Sequence, residues 1–372
     1  MKRELAMFAG FGSLLAIALF GQAWFAALAD GVSSPADPFI AAALFAWLFP
    51  ILLWSAFGVV RHADVLAERL GEPYGTLILT LSVIIIEVSL IAAIMLVGDA
   101  NPTLARDTMF AVLMIVLNGL VGLALLIGGL LHREQDYNLR GARAFLSVLV
   151  PLAVFALILP AYTTSTDNPS FSPGQSAFFA LISVLLYGVF LAIQTGRHRG
   201  FFVEEVAGEH AVAERGDEPA RHHSTLYHAA LLLLNLLPVV LLAEHMAELV
   251  NYGTEEIGAP GGLGGVVVAA LVLAPEGIAA MRAARANLLQ RSVNLLLGTA
   301  LSTIGLTVPA VLIIGLITGK TVLLGLDAVS QVLLVLSLVL STITFGGVRT
   351  NLLQGAVHLV IFVAYVILLF SP

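Results

Sequence analysis

Two glutamates stand where a charge is expensive. Of the 24 acidic residues, most lie in polar stretches or within about a turn of the end of an apolar run. Glu87 and Glu276 lie deep inside such runs, in Ser82-Val-Ile-Ile-Ile-Glu87-Val-Ser89 and Ala270-Leu-Val-Leu-Ala-Pro-Glu276-Gly277. A carboxylate at the centre of a membrane span costs at least about 2.5–3.5 kcal/mol on insertion scales, and residues of this kind mark ion or proton paths. One such Glu is also explained by a permanently protonated side chain bonded to a neighbouring helix. A pair at matched positions is harder to explain that way. Desolvation favours the protonated form of a carboxylate, and a second carboxylate nearby favours it further. A cation between the two reverses the balance and expels the protons. A site built like this holds either protons or a cation, which is the essence of proton-coupled exchange.

Glu87 and Glu276 are therefore the candidate metal ligands. Calcium takes six to eight oxygens, and two glutamates supply two to four of them. The amide oxygen of Asn118, the hydroxyls of Ser302 and Thr303, backbone carbonyls and water are candidates for the rest. The backbone beside Glu276 is interrupted by Pro275 and Gly277. Proline removes a helix hydrogen bond and glycine loosens the helix. Carbonyls freed at membrane depth are tolerated where they line a cavity. The run from Gly298 to Gly305 offers small residues for close helix approach.

The elements that must hold these residues are membrane spans. The 372 residues are 59% hydrophobic and 11% charged, with a mean hydropathy of +1.00, against about 25% charge in an average soluble domain. That balance excludes a cytosolic enzyme, a disordered chain and a nucleic-acid binder. The net charge of −7 points away from nucleic acid as well. With no cysteine there is neither a disulfide nor a thiolate metal site. The expected fold is an all-α polytopic membrane protein with eleven transmembrane helices. They are placed at Leu5–Ala29, Pro38–Val60, Gly75–Val97, Asp107–Leu131, Arg143–Tyr162, Gly174–Gly196, Thr225–Ala247, Gly261–Ala283, Ser292–Thr318, Val322–Gly347 and Thr350–Phe370. The first run follows Lys2 and Arg3 and ends on Ala27-Leu-Ala29, like a signal peptide. It is longer than the roughly 7–15 apolar residues of such a peptide, and is read as a retained helix.

With the N-terminus in the cytoplasm, 15 of the 17 Lys and Arg fall on the cytoplasmic side and only Arg106 and Lys320 outside. One missed or invented span would scramble this split, so the positive-inside rule supports both the count and the orientation. The C-terminus is then external.

The longest polar stretch, 197–224, holds six acidic residues and four histidines. It divides the remaining spans into two sets of five. Five is odd, so the second set enters from the opposite side, as in the inverted repeats of secondary transporters. Glu87 lies 49 residues past Pro38, and Glu276 lies 51 past Thr225. Asn118 lies 80 past Pro38, and Ser302 lies 77 past Thr225. The expected organisation is an extra N-terminal helix (1–37), a first repeat (38–196), an acidic cytoplasmic linker (197–224) and a second repeat (225–372).

Two segments carry a family resemblance. Gly71-Glu-Pro-Tyr-Gly-Thr-Leu-Ile-Leu-Thr-Leu-Ser-Val-Ile-Ile-Ile-Glu87-Val88 closely resembles the first signature repeat of bacterial calcium/proton antiporters of the ChaA type. Ala274-Pro-Glu276-Gly, continuing through Asn287, Gln290, Asn294 and Gly298 to Ser302-Thr303, resembles the second. These antiporters form part of the cation/proton exchanger branch of the calcium:cation antiporter superfamily. The resemblance implies a bacterial inner-membrane transporter that exchanges cytoplasmic calcium, or sodium or potassium, for external protons. It maps the two signature glutamates onto Glu87 and Glu276, and the polar residues of the following helix onto Asn118, Ser302 and Thr303. It implies no cofactor; the partners are the bilayer, inorganic cations and protons. The wider family has Gly-Asn a few residues before each glutamate, whereas this chain has Val83-Ile84 and Val272-Leu273. The loss of those amides weakens the case for calcium and suits a less demanding monovalent ion.

Other features read more plainly. The linker lacks the spacing of a calcium-binding EF-hand loop and is a solvated connection. Its histidines show no fixed metal spacing. Glu244, His245 and Glu248 end the seventh span as a solvated helix end or a cation funnel. Gln331 and His358 are read as hydrogen-bonding groups across the bundle, with no transport role. Arg282, Arg285 and Arg291 anchor orientation. An intramembrane enzyme would need a nucleophile with a base, or two midplane aspartates; no Asp lies at midplane, there is no Cys, and no HExxH occurs. A channel would draw its filter from oligomer symmetry instead of from a site duplicated within one chain.

Overall fold

The computed structural model describes residues 4–29, 37–70, 74–96, 102–202, 224–255 and 260–371. Nearly all of them are helical. The helices are α1 (Leu5–Ala29), α2 (Asp37–Leu70), α3 (Tyr74–Leu96), α4 (Leu104–His132), α5 (Leu139–Ala161), α6 (Pro173–Thr195), α7 (Thr225–Glu255), α8 (Gly261–Arg285), α9 (Leu289–Thr318), α10 (Ala328–Thr344) and α11 (Leu352–Phe370). Eight helices among the described residues are long and apolar enough to cross a membrane. In α1, α3 and α10 the apolar helical stretches are shorter, at Leu5–Gly21, Leu81–Ala93 and Ala328–Thr344. Most of the acidic linker, 203–223, lies outside the described residues.

The ends of these helices follow local chemistry. Ser172 and Gln175 close a capping box on α6, and Asn351 and Gln354 do the same on α11. Asp327 caps α10 by accepting from the N–H groups of Val329 and Ser330. Gly319, at φ +70°, ends α9 in the left-handed conformation that glycine adopts without steric cost.

Three differences from the expected spans have physical causes. First, α2 runs on to Leu70 and α7 to Glu255, because hydropathy marks where apolar residues stop and not where a helix stops. Second, residues 322–327, expected to be helical, are not. There the Gly325 N–H donates to the Pro169 carbonyl and the Leu326 N–H to the Leu157 carbonyl, so an apolar run satisfies its backbone without helix. Third, the fold is not purely helical. Glu134–Asp136 (β1) and Arg349–Asn351 (β2) form a two-stranded antiparallel ladder with Gln135 opposite Thr350. Three residues per strand are too few to leave a sequence pattern.

The chain divides into two compact units. Residues 1–104 and 223–272 form the first, with α1, α2, α3, α7 and the start of α8. Here α2 packs on α1, α3 and α7. Leu48, Leu52, Val59 and Ala63 of α2 share a fully buried core with Val239, Leu242 and Ala243 of α7. The two helices come close where Gly58 faces the Asn235 side chain.

Residues 105–222 and 273–372 form the second unit, with most of α4, α5, α6, the rest of α8, α9, α10 and α11. Its centre is the pair α4 and α9. Their apolar windows are 72% and 67% buried, against 28% for α6 and 22% for α11. The outer helices expose Leu, Val and Phe side chains, the surface a lipid-facing helix requires. Helix α4 packs against α11, and α9 packs against α6. Each unit draws elements from both 38–196 and 225–372.

Candidate functional site

In the first unit, Glu87 is 1% exposed on α3. Neighbouring residues of that helix, Val83, Ile86, Leu90 and Ile91, are buried apolar side chains. The buried Ser82 hydroxyl donates to the Ile78 carbonyl of its own helix at 2.7 Å. No proline or glycine interrupts the helix beside this glutamate.

In the second unit, Glu276 is 7% exposed on α8. It lies four residues after Val272, where α8 passes from one unit to the other, with Pro275 before it and Gly277 after. A side chain at Gly277 would meet Leu120 of α4 at 3.0 Å. The turn that carries Glu276 is thus packed against α4, two residues from Asn118.

Both long central helices widen into a π-helical turn near the polar residues singled out above. In α4 the wide turn is Ile115–Leu120 and contains Asn118. In α9 it is Thr303–Thr307 and starts directly after Ser302. Such turns accommodate one extra residue and are frequent at functional sites. Nothing in local composition marks them, so sequence reasoning missed them. The N-terminal part of α9, Leu289–Ser302, packs on the wide turn of α4. Four of the five predicted residues, Asn118, Glu276, Ser302 and Thr303, accordingly sit in one unit on adjoining elements. The fifth, Glu87, belongs to the other unit.

The side chains differ in how they are held. Asn118 is fully buried. Its Nδ2 donates to the Ser337 hydroxyl at 2.7 Å, and its Oδ1 lies 3.3 Å from His358 Nδ1. His358 Nε2 lies 3.0 Å from the Thr344 hydroxyl. Ser302 donates back to the Thr299 carbonyl at 3.0 Å, which leaves its oxygen lone pairs available to a ligand. Thr303 is buried as well. Close approach is seen at Gly305, where a Cβ would meet the Tyr187 ring at 2.8 Å, but not at Gly298, which has ordinary spacing to Phe145. Among the described residues no three His, Asp or Glu side chains converge into a metal cage.

Two further polar clusters escaped sequence reasoning. In the first unit, Glu4 Oε2 accepts from Arg61 at 2.9 Å and lies 3.2 Å from His62 Nε2. His62 Nδ1 lies 3.0 Å from His228 Nδ1, so one imidazole donates and the other accepts. These residues come from α2, α7 and the turn before α1, and nothing in their spacing links them. In the second unit, the polar residues that follow Glu276 build a clamp. Gln135 Nε2 donates to the Ala284 carbonyl and to Asn287 Oδ1, both at 2.9 Å. Gln290 Oε1 accepts from the Asn138 N–H at 2.6 Å, and Gln290 Nε2 donates to Asn294 at 2.8 Å. Asn287 stands at φ +62°, a conformation asparagine tolerates better than most residues. Beside the clamp, burial pushes the Tyr137 phenol up to about 12, and it stays a neutral donor to the Gly347 carbonyl. Gln331 bonds across elements as expected, accepting from the Tyr162 hydroxyl at 2.7 Å.

Comparison with known proteins completes the picture. The family described as sodium/calcium exchanger protein matches residues 40–196 and 227–371. The chain is 46% identical to the sodium-potassium/proton antiporter ChaA of Escherichia coli (strain K12), over 86% of this chain and 87% of that one. It is 24% identical to the Ca2+/H+ antiporter of Aphanothece halophytica, over 65% of this chain and 68% of that one. The crystal structure of the Ca2+/H+ antiporter protein YfkE shares its fold, with a TM-score of 0.69 at 21% identity, covering 99% of this chain and 98% of the other.

Proposed function

The chain belongs to the sodium/calcium exchanger protein family, and from that premise, which makes it a multi-pass membrane cation/proton antiporter and not an enzyme, we propose that it works by alternating access around Glu87 and Glu276. The observation that carries this reading is a buried carboxylate on each of two helices, α3 and α8, at matched distances along the two family-matching stretches. Two bare carboxylates at the membrane midplane cost several kcal/mol, so the empty charged site is a barrier to reorientation. Protons remove the barrier, and so does bound cation. A divalent ion replaces two protons. A monovalent ion replaces one, and a second cation or a retained proton neutralises the other carboxylate.

The cargo we favour is a monovalent cation, sodium or potassium. The relative at 46% identity is named for those ions. Val83-Ile84 and Val272-Leu273 supply no amide near either glutamate. With few hard oxygen ligands, a high charge density is poorly compensated. Calcium, the cargo the sequence resemblance implied, is the second reading. Two carboxylates in one chain favour it, as do the names of the calcium/proton relatives. Asn118, Ser302 and Thr303 are the proposed neutral ligands.

In the membrane we propose eleven crossings, formed by the eight long helices with α1, α3 and α10, in a bacterial inner membrane. The N-terminus is cytoplasmic and the C-terminus external. Residues 38–196 and 225–372 are inverted repeats, with 1–37 an added helix and 197–224 a cytoplasmic linker. Three observations support the duplication. The family matches two stretches of similar length. A π turn falls in the third helix of each half, beside a further one at Val154–Ile158 in α5. The packing is reciprocal, because the third helix of each half lies against the last helix of the other, α4 on α11 and α9 on α6.

The test is exchange in proteoliposomes under an imposed pH gradient, with sodium, potassium and calcium offered separately. Glu87→Gln and Glu276→Gln should each abolish exchange of every cation while the protein still folds. Near-normal exchange in either variant would remove the glutamate-pair mechanism. A response to calcium alone would remove the monovalent reading.

A further inference from the structure

The hydrogen bonds around Asn118 can be oriented from a fixed starting point. The Leu333 carbonyl only accepts, so Ser337, whose hydroxyl lies 2.7 Å away, donates to it. Ser337 then accepts from Asn118, which turns the NH2 end of the amide toward α10. The oxygen end therefore faces His358 on α11, and the Nδ1 atom 3.3 Å away must carry a proton. The bare Nε2 of the neutral ring accepts from the Thr344 hydroxyl at 3.0 Å. Every member of this chain, Ser337, Asn118, His358 and Thr344, is fully buried, where an unmatched donor or acceptor costs most.

An amide can present either of two ends. Its oxygen, with two lone pairs, attracts a cation; its NH2 repels one. His358 offers Asn118 a donor and so selects the orientation in which the oxygen is exposed and the NH2 is locked into Ser337. One oxygen lone pair serves His358, and an amide oxygen has a second with which to meet a cation. We propose that His358 is a positioning residue for exchange, one that holds Asn118 as an oxygen ligand for the transported cation. This rests on the reading of Asn118 as a ligand. It also revises the expectation that His358 bonds across the bundle without a transport role. Ring protonation would leave Nδ1–H in place and reverse only the Thr344 bond, so this role does not make His358 a proton carrier.

The experiment measures initial exchange rate against sodium, potassium and calcium concentration in proteoliposomes of the full chain. His358→Leu should raise KM for the transported cation about tenfold, the weight of one lost orienting hydrogen bond, with the pH profile unchanged. His358→Asn keeps a donor near the Nδ1 position and should hold KM within about twofold. Asn118→Leu should raise KM at least as much, and adding His358→Leu to it should cost nothing more, because the two residues act through one ligand. Equal KM values for His358→Leu and His358→Asn, or additive effects in the double variant, would overturn the proposal. A shifted pH profile in His358→Asn would overturn it in favour of proton carriage. Unchanged KM in Asn118→Leu would remove Asn118 from the site and this proposal with it. A raised KM there beside an unchanged KM in His358→Leu would sink the positioning role alone. Should His358→Leu fail to fold, Thr344→Val is the near-isosteric substitute. It frees the ring to shift its proton to Nε2 and should raise KM about threefold; no change would overturn the proposal.

Discussion

In α4 the wide turn Ile115–Leu120 holds Asn118, and in α9 the wide turn Thr303–Thr307 follows Ser302. Both are central helices of the second unit, and both lie against an outer helix from the other half of the chain. The side chains part company. Asn118 is tied to α10 and α11 through Ser337 and His358. Ser302 donates to a carbonyl of its own helix, and the buried Thr307 hydroxyl has no hydrogen-bond partner among the described residues. The close helix contacts differ in the same way. On α11, Gly355 faces backbone atoms of α4. On α9, Gly305 faces the ring of Tyr187. The two wide turns share a backbone deviation and differ in their wiring. The α4 turn presents a polar group held from two other helices, whereas the Ser302 hydroxyl beside the α9 turn is held by its own helix.

The largest effect expected from this contrast is on stability. Asn118→Leu takes one hydrogen-bond partner from His358, whose ring also bonds the Leu117 backbone, and one from Ser337 in a dry interior. It should destabilise the protein by about 3 kcal/mol, summing two broken buried hydrogen bonds. Ser302→Ala removes a bond to a carbonyl of its own helix and should cost under about 1 kcal/mol. Thermal unfolding in detergent compares the two, and equal costs would erase the asymmetry.

Sequence made the backbone plan legible and left the wiring hidden. The depth of Glu87 and Glu276 follows from apolar runs that any hydropathy reading finds. Asn118 and Ser302 stood out because a polar group inside such a run is rare. The π turns were invisible, since a one-residue change of helical pitch needs no particular side chain. The partners of Asn118 were invisible for another reason. His358 is 240 residues away, and only the packing of α11 on α4 brings it near. The β1–β2 ladder and the Glu4–Arg61–His62–His228 cluster are likewise products of tertiary contact. The non-helical stretch before α10 shows the reverse error, with an apolar run mistaken for helix when its backbone had found other partners.

A second, smaller effect separates the two close contacts. A Cβ on Gly355 would lie 2.6 Å from the Leu126 nitrogen and 2.8 Å from the Gly122 oxygen. Backbone cannot swing aside, so Gly355→Ala must push α11 away from α4 and should cost about 2 kcal/mol. Gly305→Ala meets the Tyr187 ring, which can tilt within its own packing, and should cost about 1 kcal/mol. Melting temperatures of the two variants check the order, and a larger loss at Gly305 would mean that the α9–α6 contact is the stiffer one.

The smallest effect concerns the caps of α5 and α10, the fourth helices of the two halves. On α5 the cap is the neutral Asn138, whose side chain accepts from the Arg140 N–H at 3.0 Å. On α10 it is Asp327, whose Oδ1 accepts from the Val329 and Ser330 N–H groups, both at 3.0 Å. Partial burial alone would raise the Asp327 carboxyl, but the hydrogen bonds from Ser330 and Val329 outweigh it and hold the group below the usual aspartate value. A carboxylate depressed on folding stabilises the protein above its unfolded pKa of about 3.9 and loses that contribution as pH falls through the lower folded value. Acid should therefore loosen the start of α10, the helix that supplies Ser337 and Thr344 to the Asn118 network, and leave the α5 cap untouched. Asp327→Ala should cost about 1 kcal/mol at pH 7. Asp327→Asn should cost less and flatten this part of the acid dependence, because asparagine caps without titrating. Melting curves between neutral pH and pH 3 measure the difference. If Asp327→Asn keeps the acid slope of the parent, the charge on this cap is not what distinguishes α10 from α5.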